Sequence, residues 1–176
     1  MVLLVIDTQK GITNSNLFEF EKITDNIRTL IEKARQNNVE VVYVQHDDGP
    51  GSGFTKGDWD FEIYDAFAPK ENEKIFYKTV NSCFHPQTGL DSYLKEKNET
   101  QVMIVGLQTD FCIDASVKSA FERGYKVFIP AYTNSTTDNE YFSKSTAYHF
   151  YNDFMWPRRY ASCISFDEAV RMLEGK

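Results

Sequence analysis

Apolar residues along this chain fall into two alternating rhythms. Val2–Ile6 is an unbroken apolar run stopped by Asp7. In 23–36, Ile23, Ile27, Leu30, Ile31 and Ala34 recur at helical spacing, and Asn37-Asn38 provide a stop. Strand character returns in 40–45 (EVVYVQ). The stretch 46–69 reads as loop, punctuated by Gly49-Pro50-Gly51-Ser52-Gly53. Lys74–Lys78 (KIFYK) alternates like a short strand, 90–97 suits a short helix, and 101–105 (QVMIV) is a strand followed by Gly106. The clearest helix is 110–123: Ile113, Val117, Ala120 and Phe121 share a face, Thr109 is placed as N-cap, and Gly124 suits the position after the last turn. A strand at 127–130, a helix at 144–154 ended before Pro157, a short strand near 161–164 and a helix over Phe166–Leu173 complete the pattern.

About six strands alternating with helices predict an α/β fold with a mainly parallel sheet. Continuously apolar strands suit a sheet covered on both faces, a three-layer α/β/α sandwich. At 176 residues the chain is expected to form a single domain, 1–176, with no repeat, low-complexity tract or linker. Ligands in such sheets bind beyond the carboxyl ends of the strands. Two polar breaks therefore matter: Asp7 after the first strand, and 106–112 after the fourth.

Charge and cysteine content narrow the partners. The chain carries 19 Lys+Arg against 26 Asp+Glu, a formal net charge of −7. A basic face for phosphates is missing, so no nucleic-acid partner is expected. No apolar run approaches the roughly 20 residues of a membrane span, and the N-terminal segment lacks the basic start of a signal peptide. Cys83, Cys112 and Cys163 form no C-x-x-C pair and are odd in number. That argues against a disulfide framework and a zinc site and leads to an expected cytoplasmic location.

Three residues then stand out as chemistry. Cys112 lies where a strand end runs into a helix start, where the helix dipole and free N–H groups lower a thiol pKa and can hold an oxyanion. Position alone leaves open whether it is a nucleophile or a small core residue. Asp7 reads either as a general base at the ligand edge of the sheet or as a cap for the turn at 8–11. Lys78 reads either as a cation beside carboxylate and thiol or as a solvated edge-strand lysine; Lys74 is expected to be only the latter.

In order along the chain, LLVIDTQKG (3–11), VVYVQHDDGPG (41–51), KTVNSCF (78–84) and VGLQTDFCIDASVKSAFERGYKVFIPAYTNST (105–136) resemble the isochorismatase-like cysteine hydrolase family over nearly the whole length. The resemblance implies a Rossmann-like six-stranded sheet and a catalytic triad of Asp7, Lys78 and Cys112. It also implies a cis peptide before Gln108, with the backbone N–H groups of Gln108 and Cys112 as oxyanion hole. Nicotinamidase-like members bind a metal through Asp-x-His and further histidines after the second strand. Here Gln45-His46-Asp47-Asp48 stands instead, so no metal or other cofactor is expected, and the chain looks more like the metal-free members of that nicotinamidase-related branch. Members acting on isochorismate itself lack the cysteine, which this chain has.

The expected activity is hydrolysis of a small-molecule amide or ureido C–N bond through a Cys112 thioester. The alternative is a non-catalytic oligomeric binding or scaffold protein on the same fold. His46, Phe84 and Phe111 are candidate substrate contacts, while His85, His149, Cys83 and Cys163 are expected to be structural. The glycine-rich segment 49–53 is read as a mobile lid rather than a phosphate loop, because no G-K-[ST] follows. The aromatic run Tyr148, Phe150, Tyr151, Phe154 and Trp156 exceeds what one helix face can bury, and suggests a homo-oligomer interface.

Overall fold

A computed structural model describes residues 1–175. Its centre is a parallel sheet in the order β3-β2-β1-β4-β5-β7, built from β1 (Val2–Ile6), β2 (Glu40–His46), β3 (Lys74–Lys78), β4 (Gln101–Leu107), β5 (Lys126–Pro130) and β7 (Ser162–Ile164). A two-residue strand, β6 (Asn134–Ser135), pairs with the end of β4 and brings the total to seven. The expected six-stranded sheet is thus the main path. The seventh strand is too short to leave a hydrophobic rhythm.

Both faces of the sheet are buried, and β1 shows why. Val2, Leu4 and Ile6 join one apolar cluster, with Leu90 and Leu94 of α2 (Leu90–Glu96) and Val117 and Ala120 of α3 (Asp114–Glu122). Leu3 and Val5 point the other way, onto Ile27, Leu30, Ile31 and Ala34 of α1 (Phe20–Gln36) and Ala169 and Leu173 of α5 (Phe166–Leu173). Successive strand residues face opposite layers, so a strand with helices on both sides needs apolar residues throughout. Each such Leu or Ile contributes roughly 1.5–3 kcal/mol on burial. Helix α1 begins three residues before its apolar rhythm, because Phe20 packs against a satellite cluster of Leu17, Ile23 and Leu107.

Two predicted helices are split. The stretch after β4 is a π-helical turn, Thr109–Ile113, leading into α3. Thr109 does not cap it; its hydroxyl donates instead to Asn134 Oδ1 at 2.7 Å, in the buried interior. The second helix is α4 (Lys144–His149) followed by another π-helical turn, Phe150–Met155. Of its aromatic run, Tyr148 and Trp156 are buried, whereas Phe150 and Phe154 are exposed. Among the described residues no helix is long and apolar enough to cross a membrane.

The parallel register lines up the carboxyl ends of the strands. His46 is opposite Lys78 across β2 and β3, Ile6 is opposite Val44 across β1 and β2, and Ile6 is opposite Gly106 across β1 and β4. Gly106 has φ +128, and a Cβ there would stand 2.0 Å from the Ile6 carbonyl oxygen. Only glycine lets β4 approach β1 this closely just before the turn that carries Cys112. Gly106→Ala is expected to cost more than about 2 kcal/mol, measured as a lower denaturation midpoint in urea with the slope unchanged.

Candidate active site

Asp7 follows β1 directly. Its backbone N–H donates to Val44 O at 2.8 Å, and its φ of +50 bends the chain away from the sheet, a conformation that aspartate tolerates better than most residues. The bend is held by Gln9, which is fully buried. Its side-chain amide donates to His46 O at 2.9 Å and Phe61 O at 3.0 Å and accepts from His46 N–H at 2.8 Å. Gln9 thus ties the end of β1 to the end of β2 and to the loop beyond.

Lys78 ends β3 with its side chain buried and its ammonium spent on three acceptors. It donates to Asp7 Oδ2 at 2.7 Å, to His46 Nδ1 at 3.1 Å and to Cys112 Sγ at 3.2 Å. An ammonium only donates, so His46 Nδ1 must accept. The ring proton then sits on Nε2, from which Asp48 Oδ1 accepts at 2.9 Å. The second oxygen of Asp7, Oδ1, is buried without a hydrogen-bond partner among the described residues.

Cys112 rides on the π-helical turn after β4, and the turn is fixed from several sides. Thr109 is bonded to Asn134, which exchanges amide hydrogen bonds with Asn152 at 2.9 and 3.0 Å. Asp110 accepts from the Thr136 hydroxyl at 2.6 Å. Asp114 accepts from the Trp156 indole at 2.9 Å. The Leu107–Gln108 peptide is cis, as the resemblance implies.

Electrostatics correct one expectation. The thiol of Cys112 is not lowered: burial first, and then the Asp7 carboxylate, push it up to about 12, against the opposing pull of Lys78. A helix start is visible in sequence; the negative charge that faces it is not. Burial also raises Asp7 above the ordinary carboxylate range, although Lys78 opposes this. Lys78 is raised, because the charges of Asp7 and Cys112 outweigh its own burial. The site therefore holds a firm cation beside two groups that compete for one proton. Cys83 is fully buried and likewise pushed up to about 12, and burial does the same to Cys163, in keeping with structural roles.

A cavity of about 350 Å³ opens over these groups, at the lower end of the usual range for small-molecule sites. Asp7 and Cys112 are among its lining residues. Ile12, Phe54 and Phe111 supply apolar wall; His46, Asp48, Asn81 and Gln108 supply polar edges. The sequence candidates His46, Gln108 and Phe111 are thus at the site. Phe84 is not: it is fully buried and packs on Tyr125 at 5.3 Å between ring centres, so it is a core residue. Sequence reasoning missed Asn81, whose Oδ1 lies 3.8 Å from Cys112 Sγ, and Asp48, Ile12 and Phe54. The signal for Asn81 and Asp48 was their place in loops leaving the carboxyl ends of β3 and β2.

A carboxylate oxygen of Asp7, a ring nitrogen of His46 and Cys112 Sγ lie within 4.8 Å of one another, a donor set that a thiophilic cation could use. Lys78 Nζ already contacts all three residues, and its positive charge opposes the binding of such an ion there.

The chain matches the family model described as Isochorismatase domain over residues 1–154. It is 28% identical to a streptothricin hydrolase of Streptomyces noursei over 77% of this chain and 50% of that one, so it spans about half of that relative. It is 24% identical to the ureidoacrylate amidohydrolase RutB of Agrobacterium fabrum, over 74% of this chain and 70% of that one. Among solved structures, an isochorismatase family protein superposes with a TM-score of 0.85 at 26% identity, covering 93% of this chain and 97% of the other.

The competition for one proton gives a signed expectation. Asp7→Asn removes the nearby negative charge and keeps Lys78, so the Cys112 thiol midpoint should fall by roughly 1–3 pH units; Lys78→Met should move it no lower than in the parent protein. Alkylation rate against pH, with Cys112 mapped by mass spectrometry, measures both.

Proposed function

The chain belongs to the isochorismatase family, and from that premise we propose that it is a cysteine hydrolase cleaving an amide or ureido C–N bond of a small molecule through a thioester on Cys112. One observation carries the reading: a single buried ammonium donates to both a carboxylate and a thiol at the floor of an open cavity. A scaffold gains nothing from burying that ion pair, whose desolvation is costly. The relatives named streptothricin hydrolase and ureidoacrylate amidohydrolase support hydrolysis, and the second supports a C–N bond.

In the proposed reaction the Asp7 carboxylate takes the thiol proton as Cys112 Sγ attacks the carbonyl carbon. The carbonyl π electrons move to oxygen, and the resulting oxyanion is received by the Gln108 and Cys112 backbone N–H groups. As the tetrahedral adduct collapses, the C–N bond breaks and Asp7 returns the proton to the leaving nitrogen. Water then adds to the thioester while Asp7 takes its proton; collapse breaks the C–S bond and releases the acid, and the proton returns to sulfur. Lys78 stays charged throughout and orients both partners.

The raised thiol pKa fits this order of events. A proton held on sulfur at rest requires a base at the moment of attack, and burial makes Asp7 a stronger base than an ordinary carboxylate. His46 holds Lys78 from the third side and acts as a positioning residue.

Cys112→Ala is expected to lower ammonia or amine release from any amide turned over by on the order of 10³-fold or more. Rapid quenching with substrate should show Cys112 heavier by the acyl fragment. Because Asp7 must start deprotonated and its folded-state pKa is raised, kcat/KM should rise with pH along an acid limb lying above the ordinary carboxylate pKa of 3.8. Full activity of Cys112→Ala would refute the mechanism.

A further inference from the structure

The cavity also carries information about substrate charge, if it is the catalytic site described above. Lys78 is the cation at the reacting atoms, and it has no donor left. An ammonium has three N–H bonds; Asp7, His46 and Cys112 take them at 2.7, 3.1 and 3.2 Å. Among the described residues lining the cavity there is no lysine or arginine. Lys10, three residues beyond Asp7, is held by Glu62 at 2.7 Å and Asp65 at 3.0 Å. Lys56, in the loop after β2, is exposed and outside the lining.

The negative side is better equipped. Asp48 lines the cavity with its side chain 54% exposed. One of its oxygens accepts from His46 Nε2, and the other has no partner among the described residues. A carboxylate entering here would lose hydration, meet no free cation and face Asp48 and Asp7. An amide N–H or an ammonium would meet the open oxygen of Asp48, while the rest of the molecule lay on Phe111, Phe54 and Ile12.

We propose that this cavity admits neutral or cationic amides and excludes those with an anionic group beside the scissile bond, and that Asp48 is the residue that sets this preference. Net charge of the whole chain points the same way but acts at long range; Asp48 acts at the mouth and is the part that a single substitution removes.

The test uses reagents that need no known substrate. The intact protein is labelled with two methanethiosulfonates, one with a trimethylammonium head and one with a sulfonate head. Label on Cys112 is quantified by mass spectrometry. Each rate is divided by the rate of the same reagent on free cysteine at the same pH, so that thiolate fraction cancels from the ratio.

The cationic reagent is expected to be favoured at Cys112 by at least tenfold. In Asp48→Asn, which keeps an acceptor for His46, that preference should fall at least threefold, and added salt should reduce it in the parent protein. An equal or greater rate for the sulfonate, a preference unmoved by Asp48→Asn, or failure of both reagents to reach Cys112 would overturn the proposal. Turnover of a neutral amide and its loss in Cys112→Ala read the hydrolase assignment separately. A protein that labels with the expected charge preference but hydrolyses nothing refutes the mechanism and leaves the charge selection standing. One that hydrolyses with inverted preference does the reverse.

Discussion

The buried ammonium of Lys78 is the point at which three parts of the chain meet. It joins the residue after β1, the last residue of β2 and the turn after β4 through hydrogen bonds of 2.7, 3.1 and 3.2 Å. A charge taken out of water this completely is tolerable only with its partners in place, and losing one leaves the others buried and uncompensated. The geometry of the reactive groups is therefore set by the same contacts that make the cation tolerable.

The sheet makes those contacts possible. In the order β3-β2-β1-β4, four neighbouring strands present Lys78, His46, Asp7 and Gly106 at one edge. The parallel register holds them level. Gln9 then locks the ends of β1 and β2 together, and the Asn134–Asn152 pair braces the turn that bears the thiol. Apolar helices on both faces supply the rigidity, and loops at the carboxyl edge supply the cavity wall. The scaffold and the chemistry thus draw on different residues, so that wall residues such as Phe54 and Asp48 can differ without disturbing the core.

Much of this was legible in sequence. Continuous apolar strands separated by helical stripes gave the layers, and the resemblance singled out Asp7, Lys78 and Cys112, which the structure brings together. What escaped had tertiary causes. Thr109 looks like a cap until Asn134, 25 residues later, is seen accepting its hydroxyl. Phe84 sits in a motif beside site residues, yet its ring faces Tyr125 in the core. The Cys112 pKa is raised first by burial and then by a carboxylate 105 positions earlier in the chain, and no local pattern reports either. Asn81 and Asp48 lie in loops, where no periodicity says which side chains face inward.

The strand order also sets a timetable. β1 is made first but stands in the middle of the sheet, and one of its edges can be covered only by β4. A chain emerging from the ribosome carries Asp7 and, later, Lys78, but neither gains its thiol partner until Cys112 has followed. At about 5–20 residues per second, that is a wait of many seconds with an apolar edge uncovered. Long-range parallel pairing of this kind is intrinsically slow. Asp7, Lys78 and Cys112 can meet only after β4 and the turn behind it have emerged, so a chain that stops before Cys112 leaves the buried ammonium without one of its three partners.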